Sequence, residues 1–177
     1  LGRKGVLAML SDSTNVEKPG YTMSEKVVGE NFERIFNKAK GRIIVATFAS
    51  NVHRIQQIVD ASVKYERKVA VSGRSMENIV AVAAELGYLN IPEDTLVGID
   101  QINKYNNDQV SIITTGSQGE PMSALARMAN SEHRKVNIVA GDTVIISASP
   151  MPENEKLVSK VINQLLQKGA EVIYKAL

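Results

Sequence analysis

The sequence predicts a doubly wound α/β domain, a three-layer fold in which a mostly parallel sheet carries helices on both faces. Three observations lead there. The apolar period switches repeatedly between strand-like and helical along the 177 residues. The helical stretches are long enough to serve as crossovers, so each strand–helix–strand step reads as a right-handed βαβ unit. A run of β-branched residues from Val110 to Thr115 stops at Gly116-Ser117-Gln118-Gly119, and an apolar helical pattern opens after Pro121. Strand, glycine loop and helix N-terminus in that order form a unit suited to gripping an anion with backbone N–H groups.

Taken in order, strand-like runs fall at residues 5–10, 42–48, 68–71, 110–114, 143–147 and 171–174. The first helix is announced by Thr22-Met23-Ser24-Glu25, a capping-box spacing, and carries Val28, Phe32, Ile35, Phe36 and Ala39 on one stripe. The second carries Val52, Ile55, Ile58, Val59 and Val63. A third spans about 76–86 and is stopped by Gly87; the fourth follows Pro121 with Leu125 and Met128. The fifth carries Leu157, Val158, Val161, Ile162, Leu165 and Leu166 and is stopped by Gly169. The irregular stretch 90–108 is expected to hold a short strand near Leu96-Val97 and a charged helical turn. There is no internal repeat and no low-complexity segment. A strand-like segment close to each end implies neighbours that continue it, and the chain reads as a fragment of a longer protein.

Composition narrows the function classes. The chain is 44% hydrophobic and 23% charged, ordinary for a globular domain. A net charge of +2 excludes a bulk electrostatic sponge for nucleic acid, so any polyanion site must come from local placement of charge. The absence of cysteine excludes disulfides and thiolate metal sites and fits a reducing compartment. No apolar run approaches the roughly 18–20 residues of a membrane span, and no leader pattern precedes the first strand-like run. The expectation is a cytoplasmic protein with no membrane partner.

In doubly wound sheets, ligands collect beyond the carboxyl ends of the strands. The polar residues fall there: Ser11-Asp12-Ser13-Thr14-Asn15, then Phe48-Ala49-Ser50-Asn51 with His53-Arg54, then Ser72-Gly73-Arg74-Ser75, the 115–120 loop, and Ser147-Ala148-Ser149-Pro150. Hydroxyls, amides, glycines and arginines at five successive strand ends suit phosphodiester or sugar contacts. Ser50, Asn51 and Ser75 read equally as helix N-caps, Asp12 as an Asx-turn former, and Phe48 as a base-stacking or a core residue. The two histidines, His53 and His133, lack metal-ligand spacing, no Ser-His-Asp arrangement follows from spacing, and no Walker lysine follows the glycine loop.

Together these residues resemble a known family. The segments 10–15, 46–51 with His53-Arg54, Gly73-Arg74-Ser75-Met76 and 115–121 resemble ribonuclease J, a metallo-β-lactamase-fold nuclease with a β-CASP insert, in order along essentially the whole chain. The resemblance implies a bacterial enzyme of RNA maturation and decay, acting as a 5′-to-3′ exonuclease and an endonuclease, with RNA as partner. It implies assembly as a homo-oligomer or with a paralogue. It also implies zinc in the full-length enzyme, activating water for in-line attack. The His-x-His-x-Asp-His motif that would hold that zinc is not in this sequence. Residues 1–177 are therefore expected to be a single β-CASP domain that binds no zinc and cleaves nothing alone.

Matched residue by residue, Asp12 takes the place of the motif A acid, in a supporting role near the metals. Ser50, Asn51, His53, Arg54, Ser72, Gly73, Arg74, Ser75, Gly116, Ser117, Gln118, Gly119 and Ser149 are expected to line the RNA path. The usual Ser-x-Pro-x-Pro-Gly-Asn pattern reads Ser149-Pro150-Met151-Pro152-Glu153-Asn154 here, with Glu153 at the glycine. A carboxylate facing the channel would repel phosphate and mark a weakly active paralogue. Two alternatives stand beside the ribonuclease reading: a non-catalytic partner subunit of an active paralogue, and a nucleotide-binding α/β module.

Overall fold

The computed structural model describes residues 2–13, 16–17, 19–21 and 24–174. Six strands form one sheet: β1 (Ile43–Ala46), β2 (Lys68–Ser72), β3 (Leu96–Val97), β4 (Val110–Thr114), β5 (Thr143–Ile146) and β6 (Glu171–Tyr174). Their order is β3-β2-β4-β1-β5-β6, and every pairing is parallel. The sheet is thus wholly parallel, where the sequence predicts it mostly so. Among the described residues there are five α-helices, α1 (Glu25–Lys38) ahead of β1 and, as connections between strands, α2 (Val52–Lys64), α3 (Arg74–Glu85), α4 (Ala124–Ala129) and α5 (Glu155–Gln167).

The layers follow from residue alternation along the central strands. Ile43 and Val45 of β1 pack with Phe32, Phe36, Ile58 and Met76, so α1, α2 and α3 cover one face. Ile44 and Ala46 pack with Leu125, Met128 and Leu165, so α4 and α5 cover the other. All four β1 side chains are buried, as a strand covered on both faces requires. Phe32 and Phe36 meet edge to face with ring centroids 6.3 Å apart, filling the α1–sheet gap.

Helix ends follow local chemistry with some shifts. Ser24 caps α1 by accepting from Lys26 N, while Thr22 and Met23 of the expected capping box lie outside the described residues. Asn51 caps α2, its side chain accepting from Arg54 N at 3.0 Å. The third helix begins at Arg74, two residues earlier than predicted, with Gly73 as N-cap, so Ser75 lies inside the helix and is not its cap. The fourth begins at Ala124, because Pro121 and Met122 are used in a turn before Ser123 caps the helix.

One predicted strand is absent. Residues 5–10 form no strand: a short 310 turn at Gly2–Lys4 leads into irregular chain with a bend at Leu7, and Leu7 and Leu10 are 105% and 96% exposed. A strand exists only by pairing its backbone, and an apolar run cannot supply a partner. Among the described residues no neighbouring strand pairs with it. Asp12 is therefore an exposed residue outside the sheet, not the end of a sheet strand.

The amino-terminal edge of the sheet is locked by buried arginines. Arg42, just before β1, donates from Nε to Asp142 Oδ1 at 2.9 Å and from Nη2 to Oδ2 at 2.6 Å, and reaches Asn137 O at 2.6 Å. Asp142 Oδ2 also accepts from Val139 N, so the carboxylate is fully used. Arg67, before β2, donates to the carbonyls of Gly41, Ala39 and Val110 and lies over the Phe36 ring. Removing one partner of such a pair strands a buried charge. Arg42→Ala is expected to cost about 3–5 kcal/mol of stability, read from the urea midpoint; an unchanged midpoint would show that the pair does not hold β1 to β5.

Candidate nucleic-acid interface

Four carboxyl ends lie side by side, in the order β2, β4, β1, β5. The chain leaving β2 and β1 enters α3 and α2 on one face, whereas the chain leaving β4 and β5 enters α4 and α5 on the other. Neighbouring strands therefore send their chains to opposite faces, the topology at which α/β sheets place ligands. The sequence expectation of polar strand ends meeting at one edge holds for these four. The fifth, at Ser11-Asp12, is outside the sheet.

The loops at this edge are tied to each other. Gly73 has φ +111°, and a Cβ on it would lie 2.7 Å from Thr115 Oγ1, so the β2 and β4 loops touch at a position only glycine fits. Thr115 O accepts from Leu125 N at 3.1 Å, and Ala124 N lies 3.4 Å from Thr115 Oγ1. Gln118 bridges to the β5 loop: its Nε2 donates to Ser149 O at 3.1 Å, and its Oε1 accepts from Met151 N at 2.9 Å and from Asn154 Nδ2 at 3.3 Å. Gly119 has φ +71° and lies against the α5 backbone; a Cβ there would sit 2.6 Å from Leu157 C. Arg54 is committed to the scaffold, donating from Nε to Glu25 Oε2 at 3.0 Å and from Nη1 to Ser147 O and Oγ at 2.8 Å each.

This sorts the candidate residues by what they can do. Ser50, His53, Arg74, Ser75 and Ser149 are exposed at the edge. Gly116, Ser117, Gln118 and Gly119 are buried, and Asn51 and Arg54 hold α2 in place. The glycine loop after β4 is largely occupied with its own contacts: Gly119 N donates to Gly116 O, Gln118 N to Glu120 Oε2, and Ser123 caps α4. The N-terminus of α3 differs. No side chain caps it, and Arg74 and Ser75 form its exposed first turn. Backbone N–H groups and a guanidinium at one spot suit a phosphate oxygen. Phe48, read from sequence as stacking or core, is 40% exposed and so remains available to a base.

His133 belongs to this edge although no sequence pattern places it there. Its Nε2 lies 3.0 Å from Ser72 Oγ, while Nδ1 accepts from Val136 N at 3.0 Å and Lys135 N at 3.3 Å. With Nδ1 accepting, the ring proton is on Nε2 and the imidazole is neutral. Burial, assisted by the nearby Arg127 charge, lowers its pKa below the ordinary histidine value. Among the described residues, no three His, Cys, Asp or Glu side chains converge to hold a metal ion. No helix among them is long and apolar enough to cross a membrane.

Because folding holds His133 neutral, protons favour the unfolded chain. Its contribution to stability is complete above the ordinary histidine pKa and is lost as pH falls from there through the depressed folded value. The melting temperature is expected to fall between about pH 7 and about pH 5, and the fall should shrink in His133→Gln; equal pH slopes in both proteins would reject this coupling.

Comparison with known proteins accords with this geometry. Residues 40–165 match the family model described as ribonuclease J, beta-CASP domain. The chain is 49% identical over 174 residues to ribonuclease J of Helicobacter pylori strain J99, covering 98% of this chain and 25% of that protein. It is 48% identical over 173 residues to ribonuclease J of Thermus thermophilus, covering 98% of this chain and 30% of the relative. Against ribonuclease J2 of Bacillus subtilis the identity is 45% over 175 residues, again 98% of this chain and 31% of the relative. The chain thus spans between a quarter and a third of the length of these curated relatives. Carrying that family's β-CASP signature across most of its length, the chain belongs to the ribonuclease J family, of which it represents the β-CASP domain.

Proposed function

We propose that this chain is the RNA-facing wall of a ribonuclease whose cutting centre lies in the remainder of the full-length protein. The observation that carries the reading is the open first turn of α3, with Arg74 exposed on it, set among strand-end loops already braced against one another. A braced edge with an exposed, uncapped helix end beside an arginine can receive a backbone phosphate without first reorganising. In this reading Arg74 and the first-turn N–H groups hold a phosphate, Ser50, Ser75 and Ser149 offer hydroxyls, and Phe48 offers a face for a base. Gln118 and Arg54 act beneath them, keeping the β4, β5 and α2 segments at fixed separation.

The finer parts of the proposal follow the family. The parent protein acts on RNA as a 5′-to-3′ exonuclease and an endonuclease in RNA processing and decay in the cytoplasm, and assembles with itself or a paralogue. The zinc expected of such an enzyme does not fit the described residues of this chain, which bring together no ligand set. Asp12, exposed outside the sheet, takes a supporting role where this chain meets the remainder. The exposed apolar side chains of Val6, Leu7, Met9 and Leu10 fit burial against that remainder. A second reading, a weakly active or scaffolding paralogue, draws support from Glu153, an exposed carboxylate on a 310 turn joined to Gln118 through Asn154.

The test uses the full-length protein and single-stranded RNA bearing a 5′-monophosphate. Arg74→Ala is expected to weaken binding about tenfold and to reduce the salt slope of log affinity by about 0.7. Unchanged affinity and slope would remove Arg74 from the RNA path. Asp12→Ala should reduce cleavage while RNA affinity is kept; normal cleavage would remove its supporting role.

A further inference from the structure

A basic run, Arg134-Lys135, directly follows His133 in the segment between α4 and β5, and neither side chain figures in the interface described so far. The segment is held in a costly conformation. Ser131 takes φ +61°, a left-handed backbone that an L-residue adopts at a cost of roughly 1–2 kcal/mol. Glu132 N and His133 N both donate to Arg127 O, at 2.7 and 3.1 Å, wrapping the chain tightly around the end of α4. Lys168 Nζ donates to Ser131 Oγ and Gln164 Nε2 to Asn130 Oδ1, so α5 holds the turn from behind. The imidazole, 61 positions from Ser72 in sequence, then joins Ser72 at the end of β2 to the Lys135–Val136 backbone. Val136 beyond it is fully buried, which anchors the far side of the loop, while Arg134 and Lys135 are exposed.

We infer that His133 is a positioning residue that clasps the 131–135 loop to the end of β2, so that Arg134 and Lys135 extend the phosphate-binding edge beyond Arg74. The inference rests on the reading of this edge as an RNA path and adds a second cationic rim to it. Ser72 leads directly into Gly73 and Arg74, so one contact registers both rims: the α3 turn on one side and the basic loop on the other. The ligand class is a single-stranded polyanion long enough to touch both, a nucleic-acid backbone and not a mononucleotide. A mononucleotide would meet Arg74 and gain nothing from the second rim.

The experiment uses the full-length protein and a single-stranded oligoribonucleotide, with affinity measured over a series of salt concentrations. Arg134→Ala combined with Lys135→Ala should reduce the salt slope by about 1.4, as loss of two single-strand phosphate contacts requires, while the binding of a mononucleotide is unchanged. His133→Ala and Ser72→Ala should each lower oligonucleotide affinity about fivefold, and the double variant no further than either alone, since both break the same contact. An unchanged salt slope in the Arg134/Lys135 variant overturns the inference, as does full additivity of the Ser72 and His133 effects. If His133→Ala does not fold, the Arg134/Lys135 variant decides alone, because both side chains are exposed. Sensitivity to Arg74→Ala with insensitivity here overturns only the second rim; insensitivity to both overturns the RNA path itself.

Discussion

Parallel pairing is the constraint on which the rest of the structure depends. When all six strands run the same way, every carboxyl end arrives at one edge of the sheet and every amino end at the other. The two edges are then free to specialise. At the amino edge, Arg42 with Asp142 and Arg67 with three backbone carbonyls close the sheet with buried charge. At the carboxyl edge, short polar loops with close backbone approaches take their place. Stability and chemistry are separated by the length of a strand.

The carboxyl edge is built by contrast between groups that are used up and groups that are left open. Gln118 spends its carboxamide on the β5 loop, and Arg54 spends its guanidinium on Glu25 and Ser147. Buried polar groups satisfied in this way rigidify the loops that carry them. The first turn of α3 has no such side-chain cap, and its arginine stays at the surface. The glycine loop after β4, which in sequence has the look of an anion cradle, turns most of its hydrogen bonds inward. Its task in the fold is support, and the exposed first turn without a side-chain cap is that of α3.

Much of this was legible before the structure. Five of the six strand-like runs and all five helices exist, with the short strand at Leu96–Val97 besides, because each rests on a local apolar period that burial on one or two faces then selects. The run at 5–10 carried the same period and formed no strand. Its pattern states only that the residues could pair, and pairing needs a second backbone. The onset of α4 was misplaced for a related reason: Pro121 is favoured at a first helical position and equally in a turn, and Ser123 as a cap decided between them.

The sequence by itself determined the class of fold, the order of elements, the collection of polar residues at strand ends and the family, because periodicity, turn residues and motifs are properties of neighbours along the chain. Only the tertiary structure decided which polar residues face solvent and which are consumed. Arg54 and Arg74 are both arginines beside a strand end, yet one reaches across to Ser147 and Glu25 and the other is exposed at the surface. His133 shows the same limit from the other side: its partner Ser72 is 61 positions away, and only the neighbouring of β2 with β4, and the return of the chain after α4, brings them within a hydrogen bond. A side chain's chemistry is written in the sequence, but whether that chemistry is free depends on partners chosen by packing.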